Sequence, residues 1–389
     1  MSDWLKAEKN DCGEISISVS GMLRPDRCSE LSALFDKITP EESSRGVVID
    51  AAELSYISSM GLRVLLAAQK KFGSLRMENV SDEVYDILSL TGFTEILTVT
   101  KPFRERSVEG LPVLGRGGTA TVYQLDDERI IKVFNEHTDL LTIMNEQRGA
   151  RSALKAGIPT AIPFEIARVG NCYATVIELV PSPMLSETLR NEAGSGDAVI
   201  RQYADFVVSL NEISVPSNDF KSMKVLYLQM AEQCRNFLTD EAYNAFVGMI
   251  QGIPEKDGFV HGDCHMGNIM SQHGEFILID MATSGAGHWF FELFCICFTY
   301  VFVANMSDPE QSLGVSKETC DNIWKSVLSS FRRRYPLENW EALEKDCLRY
   351  AKLKALLSTL PYRELAEAYA PVMKQLTEEL LADSTAVHL

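Results

Sequence analysis

The chain has 389 residues, a net charge of −17 at pH 7, 46% hydrophobic and 23% charged residues. That length allows two or three domains with a sizeable core, and the acidic balance argues against nucleic acid as a partner, because binding a phosphate backbone calls for a basic face. The nine cysteines are odd in number, lie in apolar stretches such as "FELFCICF" and form no C-x-x-C pair. They read as buried thiols of a reducing, cytoplasmic compartment and not as a disulfide framework or a structural zinc site. The opening "MSDWLKAEKNDCGE" lacks the apolar segment of a signal peptide.

In chain order, "EISISVSGML" (14–23) alternates so that Ile15, Ile17 and Val19 share one face, which predicts a strand ended by Gly21. Leu31, Leu34, Phe35 and Ile38 follow at helical spacing. "GVVIDAA" reads as a buried strand, "SSMGLRVLLAAQKKFG" as a turn opening a helix, and "SLRMENV" as another strand. "SDEVYDILSLTG" then reads as a helix from Ser81 at its N-cap to Gly92 at its end. The order β-α-β-α-β-α in about a hundred residues is that of a small α/β domain. It is assigned to 1–102, and the charged stretch "KPFRERSVEG" to a linker at 103–110.

The composition changes at Leu111. "TVYQL" and "RIIKVF" around "DDE" form a hairpin, "MNEQRGARSALKAG" a helix, and "EIARVG" and "CYATVIELV" a second hairpin turning at Gly170 and Asn171. These fill 111–180, and 181–389 is mostly helical apart from "GFVHGD…NIMSQHGEFILIDM". The apolar "HWFFELFCICFTYVFVANM" (288–306) is near the minimum length of a membrane span, but it carries Glu292 and is read as a buried core helix.

Chemistry-bearing residues concentrate in this second part. Gly115 and Gly117 in "LGRGGTATVY" would let backbone amides approach phosphate oxygens, since no Cβ intervenes. Lys132 lies midway along an apolar strand, where an unpaired ammonium is costly, and Glu146 on the next helix can pair with it. In "FVHGDCHMGNIM", Asp263 can accept a hydroxyl proton. Asn268, with Asp280 twelve residues later at the end of "FILID", offers oxygen ligands suited to Mg²⁺. A zinc site from His261, Cys264 and His265 is disfavoured: "HGDCH" contains glycine, follows a strand and has no fourth ligand nearby.

With these residues in view, 111–389 resembles the aminoglycoside phosphotransferase and choline kinase branch of the protein-kinase-like fold. "HGDCHMGN" matches that family's H-G-D-x-H-x-x-N loop, "LIDMAT" stands at its metal aspartate, and "GHWFFEL" is similar to its G-D-P-x-x-D-L segment. The departures are Ala120 for glycine, Met266 for proline and His288 for aspartate. The resemblance implies an α+β bilobal fold with a mostly helical C-lobe, and ATP-dependent phosphorylation of a hydroxyl on a small molecule. It further implies a catalytic Asp263, metal ligands Asn268 and Asp280, and nucleotide contacts from Gly115, Gly117, Lys132, Glu146 and a hinge at Glu178 through Val180. Acidic residues near the cleft would suit an amine-bearing acceptor, and Glu292 is a candidate structural or substrate-side acid.

Residues 10–100 resemble STAS domains, the anti-sigma factor antagonist fold, whose "D-S-S-G-L" carries a phosphorylated first serine. Aligned through Gly61-Leu62, Ser59 takes that place, with Ser58 where the acid stands and Met60 for a serine. The resemblance implies a regulatory phosphoacceptor and a protein partner. Three readings follow: a small-molecule kinase with a STAS module, a signalling kinase acting on Ser59 in cis or in trans, and a nucleotide sensor that switches STAS docking. The complete set Lys132, Glu146, Asp263, Asn268 and Asp280 speaks against the third.

Overall fold

The computed structural model describes residues 3–9, 14–39, 41–191, 196–385 and 387–389. Contacts divide the chain into two compact units, Met1–Ser107 with Ile166–Gly170, and Val108–Glu165 with Asn171–Leu389.

The first unit orders β1 (Leu5–Lys9), β2 (Ile15–Val19), β3 (Gly21–Leu23), α1 (Pro25–Lys37), β4 (Val47–Asp50), β5 (Leu54–Ile57), α2 (Ser59–Phe72), β6 (Leu75–Glu78), α3 (Asp82–Leu90) and β7 (Thr98–Val99). Its sheet runs β1-β2-β4-β6-β7, with β1 antiparallel to β2 and the remaining pairs parallel. A parallel strand is covered on both faces and so reads as an apolar run, which is why "VVI" on β4 is wholly buried. Ile17, Val19, Leu31, Phe35 and Ile49 meet in the core. Gly21 turns the chain with φ +74°.

Four strands of this unit escape the periodicity. On β1 only Leu5 is buried, so this edge strand carries one apolar anchor. On β5, Leu54 and Ile57 are buried around exposed Ser55 and Tyr56, a spacing that is not that of a strand. β3 and β7 span three and two residues. β3 and β5 pair in parallel outside the main sheet. Their register sets Met22 beside Tyr56 and leads the chain into α2, where the Ser58 hydroxyl accepts the Gly61 amide at 3.2 Å.

After the two-residue β8 (Arg104–Glu105), the chain continues with β9 (Val113–Arg116), β10 (Ala120–Gln124), β11 (Arg129–Phe134), α4 (Leu140–Lys155), β12 (Pro163–Val169, whose residues 166–169 count with the first unit) and β13 (Cys172–Glu178). Their strands follow the order β12-β13-β11-β10-β9. α4 starts four residues earlier than its apolar pattern announces, because Asp139 supplies the extended residue before it. The helical part comprises α5 (Leu185–Asn191), α6 (Gly196–Asn211), α7 (Met223–Gln233) and α8 (Asp240–Gly252). It continues with α9 (Phe290–Cys297), α10 (Ala304–Met306), α11 (Pro309–Ser312), α12 (Lys317–Arg334), α13 (Trp340–Thr359), α14 (Arg363–Ala368) and α15 (Ala370–Ala382). Short strands β14 (Gly258–Val260), β15 (Ile269–Gln272), β16 (Glu275–Leu278) and β17 (Gly285–Gly287) separate α8 from α9.

All eight residues of α9 are buried, and a π-helical segment, Phe298–Val303, follows. A helix apolar on every side belongs inside a large core. Among the described residues no helix is long and apolar enough to cross a membrane. Eight described cysteines are free thiols, seven of them buried.

Ile17 has no exposed surface. Ile17→Ala should therefore destabilise the first unit by about 2–5 kcal/mol, measured as a lower urea midpoint for that unit.

Candidate active site

Lys132 comes from the centre of β11, where Val122 and Thr175 flank it in register. Its ammonium lies 2.7 Å from Glu146 Oε1 on α4 and 3.6 Å from Asp280 Oδ2. Burial works against that charge, but the carboxylates of Glu146 and Asp280 outweigh it and raise the lysine pKa. Three groups far apart in sequence thus share one spot.

The hairpin β15–β16 delivers the next two residues. Ile269 faces Leu278 in its register, and Ile279 N donates to Asn268 O at 2.9 Å, so Asn268 and Asp280 flank the open end of one ladder. The Asn268 amide donates to Asp263 O at 3.0 Å and to Asp263 Oδ2 at 3.2 Å. Both bonds use the amide nitrogen of Asn268 and not its oxygen. Asp280 holds φ +59°, ψ +72°, a left-handed conformation that only Gly, Asn and Asp visit readily. Its side chain is about half exposed.

Asp263 sits on a stretch of irregular backbone, 261–265, that enters the core and passes into a short 3-10 turn, Met266–Asn268. Buried peptide groups need partners, and side chains from separate elements supply them. Glu292 on α9 accepts His261 N at 2.6 Å and Gly262 N at 3.2 Å. Thr283 donates to His261 O at 2.9 Å. Tyr203 on α6 donates to Cys264 O at 2.5 Å, and Tyr300 in the π segment accepts Met266 N at 2.8 Å. Lys354 on α13 donates to Gly262 O at 2.8 Å. Gly262 has φ +77°, and a Cβ there would come within 2.8 Å of Thr283 O, so no other residue fits.

The histidines are structural. His261 is fully buried; Nε2 faces Ile279 O at 3.1 Å while Nδ1 accepts Asp263 N at 3.3 Å. That pattern requires the neutral Nε2–H tautomer, and burial lowers the pKa in agreement. His265 Nδ1 accepts Gly267 N at 3.0 Å, and burial keeps this ring neutral as well. His288 Nδ1 accepts Phe290 N at 3.2 Å, so it serves the start of α9; burial pushes its pKa down to about 4. Among the described residues no group of three or more His, Cys, Asp or Glu side chains could hold a metal.

A cavity of about 420 Å³ joins these residues. Gly115, Gly117, Lys132, Glu146, Glu178, Val180, Asn268 and Asp280 all line it. Asp263 is not one of the lining residues; it is joined to them by the Asn268 amide, which donates to Asp263 Oδ2 at 3.2 Å. Leu114, Val122, Ile130, Ala161 and Ile177 make its other wall apolar. Two lining residues carry buried polar atoms with no partner, Thr175 Oγ1 and Gln147 Nε2. Glu178 accepts Ile162 N with its carboxylate at 3.0 Å and donates its own N–H to Ile162 O at 2.9 Å, so both groups are taken up by that residue. Ser59 lies in the other unit, exposed at the first turn of α2.

Sequence patterns did not single out Thr175, Gln147, Tyr203, Tyr300 or Lys354. None belongs to a motif. The usable signal for Lys354 is a lysine inside the apolar helical run "KLKALL".

Residues 8–99 match the family model described as "Mlab, STAS domain", and residues 111–314 match the one described as "Phosphotransferase enzyme family". No curated protein matches the chain. Similar solved structures include the aminoglycoside phosphotransferase APH(2'')-Ib, ADP-bound, at 14% identity, covering 71% of this chain and 92% of that one with a TM-score of 0.44. A putative fructosamine-3-kinase from Haemophilus somnus 129PT shows 13% identity, 69% and 90% coverage, and a TM-score of 0.46. The aminoglycoside phosphotransferase APH(3'')-Id from Streptomyces rimosus ATCC10970 shows 18% identity, 65% and 93% coverage, and a TM-score of 0.43.

Burial pushes the Glu292 carboxyl up from 4.5 to about 7, against the pull of the two amides it accepts and of Lys354. Between those two values the folded chain holds a proton that the unfolded chain has released. The resulting stability is complete below pH 4.5 and is lost as pH rises through about 7, amounting to about 3 kcal/mol. Glu292→Gln should remove this slope, measured by chemical denaturation at a series of pH values.

Proposed function

We propose that this chain, which belongs to the phosphotransferase enzyme family over residues 111–314, moves the γ-phosphoryl group of ATP to a hydroxyl of a small molecule. The observation that carries the reading is the convergence of Glu146 and Asp280 within 3.6 Å of the Lys132 ammonium, in a cleft lined also by Asn268, whose amide donates to Asp263.

The cleft suits a nucleotide. Its volume is in the range of ligand pockets, with an apolar wall for a flat base and charged groups at the other end. The backbone from Glu178 to Val180 borders that wall and would meet the adenine edge. A Cβ at Gly115 would meet nothing within 4 Å, and one at Gly117 only Ala120 O at 3.6 Å. The fold therefore has room for side chains at both positions, and their absence serves a close approach by phosphate. Lys132, kept charged by Glu146, would bind phosphate oxygens. The unpartnered Thr175 hydroxyl and Gln147 amide are further groups a bound nucleotide would satisfy.

Asn268 and Asp280 present oxygen donors of the kind a hard divalent cation takes, and would hold Mg²⁺. Bound there, Mg²⁺ supplies neutralisation of phosphate charge. Asp263 orients the acceptor hydroxyl and takes its proton. The Asn268 amide fixes one of its carboxylate oxygens and leaves the other for the acceptor. No long segment follows Asp280 before α9, which leaves the acceptor side open to a small molecule.

A second reading rests on Ser59, the phosphorylation of this chain or another copy at the start of α2. Ser58 is buried and occupied as the cap, whereas Ser59 is exposed. A phosphate on Ser59 would meet the unpaired amides and the positive end of α2. It would also give the STAS module a charge with which to release or recruit a protein partner.

Asp263→Asn should slow ADP release from Mg-ATP at least about a hundredfold while ATP still binds. Asp280→Ala should abolish turnover. Turnover by Asp263→Asn at the wild-type rate would refute the catalytic assignment. Intact mass after incubation with Mg-ATP separates the two readings: phosphate on Ser59 in the wild type alone selects the second, and an unmodified chain that phosphorylates an added amine or sugar acceptor selects the first.

A further inference from the structure

We propose that Lys354, on α13 beyond the stretch that matches the family model, is a positioning residue that sets the aim of Asp263 by holding the Gly262 carbonyl. The inference rests on the phosphotransfer reading of the cleft.

Gly262 is the swivel of the loop. It has no side chain, so no Cβ restrains rotation of the flanking peptides, and its φ is +77°. Its N–H is fixed by Glu292 at 3.2 Å. Its C=O belongs to the peptide that leads into Asp263, and Lys354 Nζ holds it at 2.8 Å. Turning that peptide would swing the Asp263 side chain away from the Asn268 amide that meets Oδ2 at 3.2 Å.

Lys354 carries its ammonium into an apolar part of α13. Its neighbours on α13, Leu353, Ala355, Leu356 and Leu357, are buried. Its ammonium lies 5.1 Å from the Phe298 ring and beside the Cys295 thiol, with Asp263 and Glu292 near enough to favour its charge. Burial works against that charge, but Cys295, Asp263 and Glu292 outweigh it and raise the lysine pKa, so the ammonium stays charged. Its hydrogen bond to the Gly262 carbonyl ties α13 to the loop.

A positioning role and a purely structural one predict different results. Wild type, Lys354→Met and Lys354→Arg, each as the full chain, would be compared by ADP formation from Mg-ATP with water as acceptor, by thermal midpoint, and by hydrogen exchange of the amides of 261–265. The positioning role expects Lys354→Met to lower kcat by about tenfold or more with KM for ATP held within about twofold. It also expects faster exchange at Asp263 and partial recovery of kcat in Lys354→Arg. A kcat within about twofold of wild type with unchanged exchange would overturn the proposal, and so would a lowered midpoint with KM and kcat affected together. If wild type and Asp263→Asn form ADP at the same rate, the phosphotransfer reading fails. Exchange at Asp263 then still decides whether Lys354 holds the loop.

Discussion

A stretch of backbone without regular structure runs through the interior of the second unit, and every peptide group in it needs a partner. That constraint organises the helical lobe. Between β14 and β15 the chain gives up ladder hydrogen bonds to place Asp263 and Asn268 side by side. Glu292, Tyr203, Tyr300, Thr283 and Lys354 replace the lost partners from α6, α9, the π segment, the turn after Asp280 and α13. Because hydrogen bonds in an apolar interior cannot be exchanged for water, these side chains fix the loop more tightly than its own sequence could.

The same constraint explains the most apolar stretch of the chain. α9 must be apolar to fill the core, and it must also carry one carboxylate inward to reach two amides. "FFELFCIC" is what those two demands produce. The change to a π turn at Phe298 shifts the helical register and brings Tyr300 under Met266. Departures of this kind are common where a helix serves a site as well as a core.

How far the sequence speaks depends on how local the cause is. Lys132, Asp263, Asn268 and Asp280 stand out because they lie in short patterns that set their spacing along the chain. Ser58 and Ser59 stand out as a turn before a helix, but their different burial does not, because it depends on Leu23, 35 residues away, whose carbonyl accepts the Ser58 hydroxyl at 2.8 Å. β1 and β5 are silent for the reason that hides Lys354: their roles come from partners distant in sequence, and their own apolar patterns are too sparse to announce them. The carboxylate of Glu178 belongs here too. Its position was legible, and its engagement with Ile162 was not, since that follows from how β13 passes the segment before β12.

The left-handed backbone at Asp280 carries a consequence of its own. Glycine would sit there with less strain and asparagine with as little, but neither would bring a negative charge to within 3.6 Å of the Lys132 ammonium. An exchange at this one position would therefore keep the turn and leave the largely buried lysine with Glu146 as the remaining carboxylate of the three groups.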